Sequence, residues 1–221
     1  MKPYAYLLLI LLIFNCNNER VLQLPEIENA DITEVLDVSP AYIFYDETEP
    51  DSTLFNRKNL IGTTNWLVNV DKRLTLQQAI PHIQYLQNKR KKESMHKNEE
   101  AKNYFTCNDT SIGNLGFLEF TDIIYNDDKK EFLDKQNLCL MTIDSLSNIS
   151  FSTSIDLNIQ FSKENFNYAY NDFIKKEYGD SAKIVLFFKN SMSFQDYISI
   201  KSELSLLNNG KIIIDNNEFI Y

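Results

Sequence analysis

The chain is 221 residues long, enough to bury one good core or two small ones. Its 43% apolar and 24% charged side chains are those of an ordinary globular protein. A formal net charge of −9 argues against nucleic acid as a partner and against plain electrostatic attraction to anionic lipid, since both require a basic surface.

Membrane attachment would therefore need another device, and the first residues read as one. Met1-Lys2 is a minimal positive region, and residues 4–14, YAYLLLILLIF, form an apolar run. A bilayer span needs about 20 such residues, so the run is too short to cross but suits a signal peptide. Ile13-Phe14-Asn15-Cys16, followed by polar Asn17-Asn18-Glu19-Arg20, resembles a bacterial lipoprotein signal. That resemblance implies a signal over residues 1–16, lipid attachment at Cys16, and a cell-envelope location on the periplasmic side of the inner or outer membrane. An uncleaved signal anchor, or a secretory signal with an incidental cysteine, is the other reading.

Residues 17–37 lack periodicity and are expected to be a tether with at most one short element. Residues 41–45, AYIFY, predict a strand ended by the acidic cluster 46–51. Residues 54–61 predict a short helix closed by Gly62. Residues 66–86 predict a strand, a turn at Asp71-Lys72-Arg73, and a helix capped by Thr75 with Leu76, Ala79, Ile80, Ile83 and Leu86 on one face. Pro81 predicts a kink or late start there. The basic run 89–92 is expected to face solvent.

Further on, residues 117–125 predict one strand, 127–134 a loop or short helix, and 138–143 and 150–161 extended chain. Residues 168–178 predict a helix stopped at Gly179. Residues 184–188, IVLFF, are an unbroken apolar run, the mark of a buried strand. Ser193 then caps a helix whose stripe is Phe194, Tyr197, Ile198, Leu204 and Leu207, with Ile200 off the stripe and Gln195 on the solvated side. Residues 211–214 and 219–220 close the chain as strand. An offset of 118 residues sets Leu74 on Met192, Thr75 on Ser193, Leu76 on Phe194 and Gln77 on Gln195. Internal duplication and convergence on strand–turn–helix patterning both account for it.

Residues 182–204, AKIVLFFKNSMSFQDYISIKSEL, with the closing strand, resemble the periplasmic domain of the ExbD/TolR family of biopolymer transport. The resemblance covers about residues 155–215 and, more weakly, 38–86. It implies an α+β fold, a two-layer α/β sandwich, with an ExbD/TolR-like domain at 146–221 behind an N-terminal α/β region at 38–145. It also implies dimerisation and work with ExbB/TolQ-type channel proteins. The family couples protons through an aspartate in an N-terminal membrane helix. Residues 4–14 contain no acid, so no residue here inherits that role.

Chemical motifs are sparse. His82 and His96 have no His or Cys at ligand spacing, the acidic run 46–51 lacks the turn glycine of a calcium loop, and no G-x-S-x-G elbow occurs. No catalytic residue, metal or cofactor is expected. Cys107 with either histidine lacks a local signature. Cys107 and Cys139 could form a disulfide in an oxidising compartment, while Leu138-Cys139-Leu140-Met141 equally suits a buried apolar thiol. The leading expectation is a non-enzymatic envelope lipoprotein acting through protein or peptidoglycan contacts. A stand-alone lipoprotein binding a small ligand or glycan is the alternative, and a hydrolase with an unrecognised site comes third.

Overall fold

The computed structural model describes residues 21–92, 98–127, 138–153, 158–178, 183–207 and 213–221. It is mixed α/β, with two mixed sheets and few helices, an arrangement compatible with an α+β sandwich.

The first sheet contains β1 (Glu26–Ile27), β2 (Val38–Tyr45), β3 (Thr53–Asn56), β4 (Asn65–Val70), β5 (Asn103–Asp109) and β6 (Asn114–Glu119). Its order is β3-β2-β4-β5, with β1 and β6 both on β5. Helix α1 (Leu76–Lys92) joins β4 to β5. The second sheet contains β7 (Ile124–Asn126), β8 (Leu138–Ser145), β9 (Asn148–Thr153), β10 (Asn158–Phe161), β11 (Lys183–Phe188) and β12 (Ile213–Ile220), in the order β10-β9-β8-β11-β12-β7. A 3₁₀ turn (Lys163–Asn165), α2 (Phe166–Ala169), a π turn (Tyr170–Ile174) and α3 (Lys175–Tyr178) precede β11, and α4 (Phe194–Leu207) joins β11 to β12.

The two halves share one topology. In each, a hairpin leads to a strand parallel to its first arm, then a helix, then a second parallel strand, with β10 and the short helical turns inserted ahead of β11 in the second half. The strand β11 lies between β8 and β12, and all its residues from Ile184 to Phe188 are buried. Thr75 and Ser193 both cap as expected. The Gln78 N–H donates to Thr75 Oγ1 at 3.4 Å, and the Asp196 N–H to Ser193 Oγ at 3.1 Å.

The two helix starts also pair with each other. Leu76 N–H donates to Met192 O (2.9 Å) and Phe194 N–H to Leu74 O (2.7 Å). Gln77 N–H donates to Asn190 O (2.9 Å) and Gln195 N–H to Lys72 O (3.2 Å). Each bond maps onto another by the 118-residue offset, and Thr75 faces Ser193 in an antiparallel bridge. A local two-fold axis thus relates the two helix starts. It uses first-turn N–H groups that an isolated helix leaves without partners. One hydrophobic core runs across the join, and Phe105 of β5 packs edge-on against Phe194 and Tyr197 of α4.

Several expectations change. Residues 54–61 do not form a helix. Thr53–Asn56 pairs antiparallel with β2, because the acidic cluster is a hairpin turn in which Asp46 accepts from Thr48, Asp51 accepts from Thr53, and Ser52 takes a positive φ of 56°. The stretch 117–125 divides into β6 and β7, which belong to different sheets. The closing strand is continuous, and polar residues around Asp215 accommodate a register shift against β11 between Ile184 and Leu186. Pro81 falls within α1 without ending it. Arg90 is buried, its guanidinium 4.0 Å from the Trp66 ring, so the basic run does not simply face water. The boundary expected between residues 145 and 146 falls within the β8–β9 hairpin, so Leu138–Ser145 belongs to the second sheet. The tether expected over 17–37 is docked from its middle onward. Ile27 is buried, and Pro25 and Ile32 carbonyls accept from Asn108 and Phe117. The expected element at 127–134 lies, apart from Asp127, outside the described residues, as do Cys16, His96 and the side chain of Leu207.

Ile200 is 2% exposed rather than off the buried stripe, because α4 packs against α1 and β1 as well as its own sheet. Gln195 is not simply solvated. Its carboxamide accepts from Glu26 N–H (2.8 Å) and donates to Glu26 O (3.0 Å), holding β1 in place. Gln195→Ala is therefore expected to cost about 1–2 kcal/mol in urea denaturation, the worth of two such bonds. A change within error would show that this clamp contributes nothing.

Candidate functional site

Helix α4 is flanked by two clefts, and a buried cluster of ionisable side chains lies beside one of them. Glu218, on β12, is fully buried. Its Oε2 accepts from Tyr197 OH at 2.8 Å, and its Oε1 pairs with Lys201 Nζ. Tyr125 OH, brought in by β7, lies 3.1 Å from Tyr197 OH. Burial, reinforced by the Glu218 charge, holds both phenols well above their ordinary pKa, so neither serves as a base near neutrality. Each Glu218 oxygen has a donor, and the group ties α4, β12 and β7 together. Lys201 also lines an amphipathic cleft of ≈ 270 Å³ with Ile32, Phe117, Ile123 and Leu204.

The second cleft, of ≈ 400 Å³, is lined by Glu26, Ile27, Glu28, Asn29, Thr110, Lys163, Ser199, Ser202 and Glu203. Local chemistry shapes its rim. Asn29 takes a positive φ of 55°, and its N–H donates to Ser111 Oγ (3.0 Å). Ala30 N–H donates to Asp109 Oδ2 (2.7 Å). The Ser111 hydroxyl and this amide hold the Asp109 carboxyl below its ordinary range. The segment lies directly on β6, where a Cβ on Gly116 would come within 2.6 Å of Ala30 Cβ, so only glycine fits.

Fully buried Asp71 accepts from Gln23 N–H (3.2 Å), near the start of the described residues, and from Arg73 Nε (2.8 Å) and Nη2 (2.7 Å). Burial alone would push this carboxyl up, but the Arg73 guanidinium and the backbone donors outweigh it and hold it below 3.8. A carboxyl depressed in the folded state adds stability above its unfolded value, and that stability is lost as pH falls through the folded value. The melting temperature should therefore drop below about pH 4, and Asp71→Asn should flatten that acid limb. An unchanged acid limb in the variant would show that Asp71 does not drive it.

The sequence-picked residues are not brought together. Cys107 on β5 and Cys139 on β8 are buried free thiols in different sheets, so the disulfide considered between them does not form. Burial pushes the Cys139 thiol up to about 12 and raises Cys107 well above its ordinary value, with Asp109 adding to the latter. Both should resist alkylation in the native state and react fully in denaturant without reductant, as read by mass spectrometry. His82 Nε2 lies 3.2 Å from Thr53 Oγ1 and its ring packs on Phe55, with burial lowering its pKa. Among the described residues no group of three or more His, Cys, Asp or Glu could hold a metal, and no helix is long and apolar enough to cross a membrane.

Sequence reasoning missed Lys201, Glu218 and the polar cleft. The available signal was Glu218 itself, an acid set beside the apolar Phe219-Ile220 of a closing strand. No protein-family model, no curated protein and no solved structure matches the chain.

Proposed function

We propose that the chain is a non-enzymatic cell-envelope lipoprotein, anchored through Cys16 on the periplasmic side of the inner or outer membrane. Its α/β body resembles the ExbD/TolR periplasmic domain and acts through contacts with an ExbB/TolQ-like channel protein or peptidoglycan. The observation that carries this reading is the two-fold pairing of like-folded halves through their helix starts. The resemblance implies a small α/β domain that works in pairs, and two halves of similar topology joined at their helix starts support that reading. The buried ionisable groups around Glu218 are mutually satisfied, which suits a rigid contact module better than reaction chemistry.

The test is purification of the intact protein from native membranes after metabolic fatty-acid labelling. Label lost in Cys16→Ala, with recovery of a channel protein or wall fragments on the native protein, is expected. A soluble unlabelled protein, or label persisting in Cys16→Ala, would overturn the anchor. Recovery of neither partner after crosslinking would overturn the contact role.

A further inference from the structure

The polar cleft between the segment after β1 and helix α4 holds charges and a hydroxyl that the fold does not use. Ser202 is 8% exposed and lines the cleft, and its hydroxyl makes no hydrogen bond among the described residues. Its neighbour Ser199, one turn earlier, does have a donor, Gln195 Nε2 at 3.1 Å. Ser202 is on the cleft wall, and a serine hydroxyl both donates and accepts, so it can bond a polar ligand atom held there.

The surrounding charges say what kind. Glu26 is already engaged by Lys72 Nζ at 2.7 Å. Glu28, from the first half, Glu203, from α4, and Lys163, from the 3₁₀ turn of the second half, make no ion pair among the described residues. Two carboxylates disfavour phosphate or a nucleotide. Aromatic rings, the usual stacking partners of sugars, do not line the cleft. Carboxylates, one ammonium and an open hydroxyl together complement a molecule that carries both an ammonium and a carboxylate. A volume of ≈ 400 Å³ is in the range for small-molecule sites, about 300–1,000 Å³.

We propose that this cleft binds a small zwitterion of amino-acid or dipeptide size. Its ammonium is taken by Glu28 and Glu203, its carboxylate by Lys163, and a polar atom by the Ser202 hydroxyl. This site is independent of the lipid anchor and of any channel partner.

The experiment titrates the full chain, purified in detergent, with glycylglycine, alanine and glutamate, read by calorimetry and amide chemical shifts. Glycylglycinamide, N-acetylglycylglycine and glucose are the controls. Saturable binding of glycylglycine with shifts at Ser202 is expected, weakened about tenfold by blocking either end. Lys163→Gln should weaken glycylglycine about tenfold and leave glycylglycinamide unchanged, and Glu203→Gln should discriminate in the opposite sense against the acetylated peptide. Ser202→Ala should weaken binding with an unaltered melting curve. No saturable binding of any of the three zwitterions, binding unchanged in Lys163→Gln and Glu203→Gln, or glucose binding as tightly as glycylglycine would overturn the proposal.

Discussion

Ile198→Asp is expected to unfold the whole protein. Ile198 is fully buried in a core that both halves share, on the helix that lies at their join. Losing the apolar side chain forfeits about 1.5–3 kcal/mol, and burying an uncompensated carboxylate costs several more. A domain has only about 5–15 kcal/mol in all. The readout is the single tryptophan, Trp66, which lies in β4 of the first half, far along the chain from the substitution. Its fluorescence should report unfolding together with the far-ultraviolet circular dichroism. A native Trp66 signal in Ile198→Asp would show that the halves are independent.

Lys201→Met should be the next most damaging change. It strips the ammonium from Glu218, a carboxylate with no solvent exposure that would keep only the Tyr197 hydroxyl as a side-chain donor. Breaking one side of a buried pair costs about 3–5 kcal/mol, whereas replacing both partners with apolar groups is often neutral. The double variant Lys201→Met/Glu218→Leu should therefore recover most of the loss in chemical denaturation. If the double variant is no better than the single, the damage comes from lost packing of the lysine stem and not from the stranded charge.

The parts legible in the sequence are those fixed by local chemistry. Residues 184–188 read as a central strand because the run is apolar on both faces. Thr75 and Ser193 read as caps because a hydroxyl before an apolar stripe satisfies first-turn amides. The 118-residue offset picked out the residues that now pair across the local two-fold. What was not legible depends on distant chain. The strand β3 looked helical because its hairpin rests on Asp–Thr turn bonds and a positive φ at Ser52. Gln195 and Ile200 read as off the buried face because one apolar stripe gives a helix a single buried side, while α4 has contacts on several sides. The clefts were invisible because Glu28, Lys163 and Ser202 lie on three separate segments.

The paired helix starts bear on how the chain is made. The first-turn amides of Leu76 and Gln77 find their carbonyl partners at Met192 and Asn190. More than a hundred residues separate the two sets, so a chain that emerges N-terminus first presents the first half well before its partners. Through that interval the first half waits with open amides and with Phe105 lacking the rings of Phe194 and Tyr197. A chain truncated before residue 190 would lack those carbonyl partners altogether.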